Sequence, residues 1–269
     1  MKQITSNAPL MKEIDRIREV AGYLWEKGWA ERNGGNISVN ITEFITDEIM
    51  ALPALSGTIA FDTPHKNLAG HYFYITGTGK RMRYVAQDAF ENGSIIRLTS
   101  DGAAYEIVAE KPIAPTSELP SHIAMHSYMR SNRNPNNKVV LHTHPTEIIG
   151  MSHHKKFLQP NVMARTLWAM IPESRIIVPR GIGIVGYEIP GTMDLANATI
   201  KQLEKHDMVV WEKHGILCVG DDIIEAFDAI DTMVKSAQIY IAAVQTGGEP
   251  EGMTDEQLDG LIEPFNLPE

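Results

Sequence analysis

Cysteine is almost absent. Cys218 is the only one, so no internal disulfide and no cysteine-rich zinc site can form. Any bound metal must be held by histidine and carboxylate. No apolar run reaches the roughly 18 residues that a membrane-spanning helix needs. The stretch Met1-Lys2-Gln3-Ile4-Thr5 lacks the apolar core of a signal peptide, and the expected location is the cytoplasm. Basic residues are in deficit, 24 Lys and Arg against 34 Asp and Glu, for a formal net charge of −10. That balance argues against a nucleic-acid footprint and against a basic membrane patch. It says nothing positive about a substrate; an anionic one would have to be held by local donors.

The hydrophobic content of 43% and charged content of 22% suit an ordinary globular protein with a proper core. Leu10, Ile14, Ile17, Ala21 and Leu24 recur at three and four residues and predict an amphipathic helix that stops at Lys27-Gly28-Trp29. Strands are expected at 37–39, 72–76, 94–98, 104–108, 139–143, 175–178 and 183–187. A hairpin is expected from Met208–Trp211 and Ile216–Val219, with Glu212-Lys213-His214-Gly215 at its bend. Pro115-Thr116-Ser117-Glu118-Leu119-Pro120 predicts a helix start, hydroxyls at the cap and the acid in the first turn. Further helices are expected near 146–157, 160–168 and 192–205, and a long one from Asp222 to Gly247. Residues 42–69 lack steady periodicity and read as an irregular insertion. No repeat or linker divides the chain. The expectation is one α/β domain over 1–269 with mostly antiparallel strands.

The stretch that organises the rest is Val139-Val140-Leu141-His142-Thr143-His144-Pro145. Alternation along a strand puts His142 and His144 on one face, as two adjacent corners of a metal site would require. Two strand histidines bonded to backbone would look the same. His214 precedes a glycine at the hairpin bend, and it could complete a three-imidazole set with an open fourth position. On position alone it is more simply an ordinary turn residue. His122 and His126 lie four apart on the expected helix, but the glutamate of a zincin motif is missing, and packing is the better reading.

Glu118 is the candidate acid/base group, although position alone favours a plain capping acid. The loops Asn33-Gly34-Gly35-Asn36 and Thr76-Gly77-Thr78-Gly79-Lys80 could hold a phosphate through backbone N–H groups, or could simply be turns. Neither matches a nucleotide P-loop. Gly181-Ile182-Gly183-Ile184-Val185-Gly186 spells a dinucleotide fingerprint. Tyr187-Glu188-Ile189-Pro190 follows, however, and cannot open the helix that such a site requires.

Taken in order, Gly-Gly-Asn, Thr-Gly-Thr-Gly-Lys, Thr-Ser-Glu, His-x-His and a late His-Gly resemble the class II aldolase/adducin family. The resemblance covers nearly the whole chain and includes Ser100-Asp101-Gly102-Ala103 and Lys235-Ser236-Ala237-Gln238. It implies an α/β/α sandwich around a mostly antiparallel sheet, assembled as a four-fold symmetric homotetramer with sites at subunit interfaces. It implies one zinc ion per subunit on His142, His144 and His214, with Glu118 as acid/base. Asn33, Gly35, Thr78, Gly79, Thr116 and Ser117 would cradle the phosphate of a sugar-phosphate substrate. Glu173 would be a second functional carboxylate reaching a neighbouring site, although Ala169-Met170-Ile171-Pro172 departs from the family pattern there. Thr78 stands where a serine is expected and keeps the hydroxyl. The implied reaction is metal-dependent aldol cleavage of a ketose phosphate between C3 and C4. A pentulose-phosphate 4-epimerase or an L-fuculose-1-phosphate aldolase would share these groups. A non-catalytic adducin-like interaction domain would not need all three histidines and Glu118.

Overall fold

The computed structural model describes Lys2 to Pro268. Helix α1 spans Ala8–Glu26, with the Asn7 side chain accepting from the Leu10 N–H at 3.0 Å and a proline in its first turn. The periodicity read from sequence is its buried face: Leu10, Ile14, Ile17, Ala21 and Leu24 are all fully covered. Burying each of the large aliphatic side chains contributes roughly 1.5–3 kcal/mol. Gly28, with φ of +74°, ends the helix in a conformation that glycine adopts without strain.

Nine strands form one sheet: β1 Asn36–Asn40, β2 Ile59–Ala60, β3 Tyr72–Thr76, β4 Gly93–Leu98, β5 Ala104–Ala109, β6 Val139–Thr143, β7 Ile182–Val185, β8 Met208–Trp211 and β9 Gly215–Gly220. Their spatial order is β2-β5-β4-β3-β1-β6-β9-β8-β7. Every named pairing is antiparallel except β7 with β8. The remaining main helices are α2 Leu119–Asn132, α3 Pro172–Ile177, α4 Met193–Leu203 and α5 Ile223–Gln245, with seven-residue helices Thr146–Ser152 and Val162–Trp168 between β6 and α3. Residues 42 to 69 hold single-turn helices and β2 at the sheet edge.

Alternation divides the core into layers. Ile37, Val39, Val139, Leu141, Ile216 and Cys218 pack with α1 and α5 on one face. Val140, Val209, Trp211, Leu217 and Val219 pack with Met125 and Met129 of α2 and Leu195 and Leu203 of α4 on the other. The expected α/β/α sandwich is what forms. Cys218 pairs with Leu141 in register, so it faces away from His142, and burial pushes its thiol pKa up.

Two local expectations are corrected. Residues 175–178 were expected as a strand from their β-branched run, but they fall in and just after helix α3. Pro172 suits a helix start, the Ser174 hydroxyl donates to the carbonyls of Leu167 and Ile171, and the Arg175 guanidinium lies 4.4 Å from the Trp168 ring centre. Those contacts outweigh a weak strand propensity. The second correction concerns the start of α2. Glu118 is itself the N-cap residue, not a first-turn acid, and its side chain makes no capping bond. Its carboxylate is free to face elsewhere.

Candidate active site

The start of β1, the end of β3, the end of β6 and the β8–β9 bend meet at one end of the sheet. Asn36 pairs with His142 across β1 and β6, and Thr143 pairs with Ile216 across β6 and β9. The His142-x-His144 motif is clamped there by Trp29, whose carbonyl accepts from the His144 N–H at 2.8 Å and from the Thr143 hydroxyl at 2.7 Å. His214 enters from the bend. Lys213 takes a left-handed φ of +62°, and its N–H donates to the buried Ser152 hydroxyl at 2.8 Å. The potential ligand atoms of His142, His144 and His214 all lie within 4.8 Å of one another.

The glycines beside these rings are spacers. A Cβ on Gly34 would lie 2.8 Å from His144 Nδ1, and one on Gly35 would lie 2.8 Å from the His142 carbonyl oxygen. A Cβ on Gly215 would lie 2.8 Å from His142 Cε1. Trp211 packs at a tilt against His142, 4.3 Å between ring centres, and its own N–H donates to the Thr199 hydroxyl at 2.9 Å.

The donor set suits a divalent cation. His142 Nδ1–H donates to the Ile216 carbonyl at 2.9 Å, which leaves Nε2 with a bare lone pair. His144 Nδ1 faces the Glu31 carboxylate at 2.8 Å, a contact that turns Nε2 toward the other two rings as the available ligand atom. These two Nε2 atoms are 3.1 Å apart, close enough to share one ion. His214 Nδ1 is buried with no hydrogen-bond partner. Burial, and then the neighbouring imidazoles, push the His142 pKa well down and that of His214 down to about 4. Unprotonated rings are what a metal needs.

Glu118 reaches the same place through Asn36, whose side-chain N–H donates to Glu118 Oε2 at 3.0 Å. Burial raises its carboxyl pKa, while the Asn36 bond and His144 act the other way. The two glycine loops converge as well, since the Ile37 N–H just after the first donates to the Thr76 hydroxyl of the second at 3.1 Å. A Gly77–Pro115 bridge joins the 76–80 and 114–118 segments, with Thr78 N–H donating to the Ala114 carbonyl at 2.9 Å and Thr116 N–H to the Thr76 carbonyl at 2.8 Å. The Thr78 and Thr116 amides are thus occupied. Their hydroxyls, that of Ser117 and the exposed turn at Gly79 are what these segments offer a ligand. Asn33 is exposed, and Gly35, with φ of +75°, lies directly before β1.

Glu173 stands apart. It is exposed in the first turn of α3, and among the described residues no hydrogen bond or ion pair joins it to this cluster. Sequence reasoning named the histidines and Glu118 but missed Glu31, Trp211 and the role of Asn36 as the link between acid and cluster. The signal for Asn36 was present: Asn36, Ser38 and Asn40 alternate as polar residues through a strand buried on both faces.

Residues 15–241 match the class II aldolase and adducin N-terminal domain. A rhamnulose-1-phosphate aldolase of Bacteroides thetaiotaomicron is 51% identical over 269 residues, covering 100% of each chain. One from Listeria innocua is 35% identical over 95% of this chain and 94% of its own. Among solved structures, a sugar-phosphate aldolase from Thermotoga maritima superposes with a TM-score of 0.78 at 31% identity, covering 91% of this chain and 100% of that one. With this fold, these motifs and relatives matched end to end, the chain belongs to the class II aldolase and adducin family.

Proposed function

We propose that the chain catalyses the reversible retro-aldol cleavage of L-rhamnulose 1-phosphate to dihydroxyacetone phosphate and L-lactaldehyde, a carbon–carbon lyase step in rhamnose breakdown. The observation that carries this is the convergence of three bare imidazoles and a raised-pKa carboxyl at one strand end. The full-length similarity to rhamnulose-1-phosphate aldolases supports the substrate.

In this reading His142, His144 and His214 hold one zinc ion per subunit. Zinc, when bound, supplies a Lewis acid against the negative charge that develops on the substrate oxygens. Glu118 carries the proton to and from the hydroxymethyl carbon of dihydroxyacetone phosphate, for which a carboxyl pKa raised toward neutrality is suited. Asn33, Gly35, Thr78, Gly79, Thr116 and Ser117 cradle the phosphate, whose remote binding energy fixes the reacting carbons. The proton of the C4 hydroxyl goes to water or to Glu173 of a neighbouring subunit, in a homotetramer with sites at its interfaces. The whole chain acts as one unit in the cytoplasm; among the described residues no helix is long and apolar enough to cross a membrane.

The test is cleavage of L-rhamnulose 1-phosphate by purified protein with and without a chelator. Release of dihydroxyacetone phosphate and L-lactaldehyde that a chelator abolishes and zinc restores is the expected outcome. A folded, zinc-loaded protein that leaves this substrate intact refutes the assignment and directs the assay to L-fuculose 1-phosphate and pentulose phosphates.

A further inference from the structure

The polar residues of β1 do more than reach Glu118. Asn36, Ser38 and Asn40 are all buried and point to the face covered by α2. From Glu118 a hydrogen-bonded row runs inward. Asn36 Nδ2 donates to Glu118 Oε2 at 3.0 Å, and Asn36 Oδ1 meets His122 Nε2. His122 Nδ1 meets the Ser38 hydroxyl at 2.7 Å, and the same hydroxyl meets His126 Nε2 at 2.8 Å. The row ends there, because His126 Nδ1 is buried without a partner and the Phe73 ring lies 4.9 Å from the imidazole.

Both rings are fully buried and burial keeps them neutral, so each carries a single N–H. The row can then run in only two directions. In one, His126 Nε2–H donates to Ser38, Ser38 donates to His122 Nδ1, His122 Nε2–H donates to Asn36 Oδ1, and Asn36 donates to Glu118. The reverse would turn the Asn36 oxygen onto a carboxylate oxygen and leave His126 with a buried N–H that has no acceptor. Orphaned buried donors are rarer than orphaned lone pairs, and a bare acceptor pair adds repulsion. The first direction is the one the surroundings select.

We propose that His122 is a positioning residue for the acid/base step: its Nε2–H locks the Asn36 amide with nitrogen toward Glu118, so Oε2 is held as an acceptor and the transferred proton travels on Oε1. The inference rests on the reading of Glu118 as the acid/base group. It assigns the buried His122–Ser38–His126 row a part in proton transfer, beyond the helix packing that its spacing suggests.

The two amide substitutions separate this from core filling. In His122→Gln the side-chain nitrogen can occupy the Nε2 position and still donate to Asn36; in His122→Asn it reaches only the Nδ1 position. The readouts are kcat, KM, bound zinc, and solvent hydrogen exchange into dihydroxyacetone phosphate without aldehyde. His122→Asn should lower kcat and the exchange rate together by about 10- to 100-fold, with KM and bound zinc unchanged. His122→Gln should recover most of both rates. Equal behaviour of the two variants, or a loss confined to KM or zinc content, overturns the proposal. If neither variant folds, Ser38→Ala decides: it cuts the row behind His122, and an exchange rate equal to that of the parent overturns the proposal. Glu118→Gln separates the two levels. If it retains exchange, the acid/base reading itself fails; if it abolishes exchange while His122→Asn does not, only the role of His122 falls.

Discussion

His122 and His126 have a second consequence, for stability. Burial pushes the His122 pKa down to about 3 and that of His126 well below the ordinary 6.5. In the unfolded chain both rings take up a proton near 6.5. Above that value the two states bind equal numbers of protons and the full stability is present. As pH falls below it, the unfolded state binds protons that the native state refuses, so stability is lost progressively toward the low folded values. Each ring should cost on the order of 1 kcal/mol between pH 7.5 and 5.5. Glu13 and Glu118, whose carboxyl pKa values burial raises, act in the opposite sense at the acid end. Urea unfolding of metal-free protein at the two pH values measures the difference, to which the depressed His142 and His214 add in the same sense, and His126→Leu should lose part of it; an unchanged pH dependence in that variant would mean that the ring is not held neutral. At this scale the sequence spoke unevenly. The His142-x-His144 spacing stated its own geometry, because strand alternation is local. The purpose of Asn36 and Ser38 depended on α2, more than eighty residues away in the chain.

The β8–β9 hairpin shows what an element contributes. Its bend was legible from two apolar runs around Glu212-Lys213-His214-Gly215, and its register places Gly215 against the end of β6. A methyl group on Gly215 would sit 2.5 Å from the Thr143 carbonyl oxygen, 2.8 Å from His142 Cε1 and 2.9 Å from His144 Cδ2. A backbone oxygen of a central strand cannot step aside. Gly215→Ala should therefore push the hairpin away from both rings, lowering bound metal and destabilising the fold by about 1–3 kcal/mol. Gly150→Ala is the control, since a Cβ there meets nothing within 4 Å on a helix. Metal content and thermal unfolding of the two variants decide it; a Gly215→Ala protein that binds metal like its parent would show that the close approach is dispensable. Helix α3 teaches the opposite lesson about legibility. Its Ile176-Ile177-Val178 run has strand propensity, yet Pro172 and the contacts of Ser174 with Leu167 and of Arg175 with Trp168 hold Ile176 and Ile177 helical. Propensity is a weak guide where six residues are held by their neighbours.

At the scale of the whole molecule, the role proposed for Glu173 depends on assembly. One chain assembles the histidines, Glu118 and the 33–36, 76–80 and 114–118 segments, yet leaves Glu173 exposed on α3. A carboxylate so placed can serve the reaction only if another copy of the chain brings a site to it, as a ring of head-to-tail contacts does. Subunit mixing tests this directly. Glu118→Gln and Glu173→Gln proteins, each impaired alone, are dissociated together and reassembled. If Glu173 acts across the interface, about a quarter of randomly assembled sites combine an intact Glu118 with an intact neighbouring Glu173, and activity should return in that proportion. If it acts within its own chain, no site in any mixed assembly holds both groups, and mixing restores nothing. Native mass measurement of differently tagged subunits confirms that exchange took place. Failed complementation in assemblies shown to have exchanged would overturn the action of Glu173 across the interface.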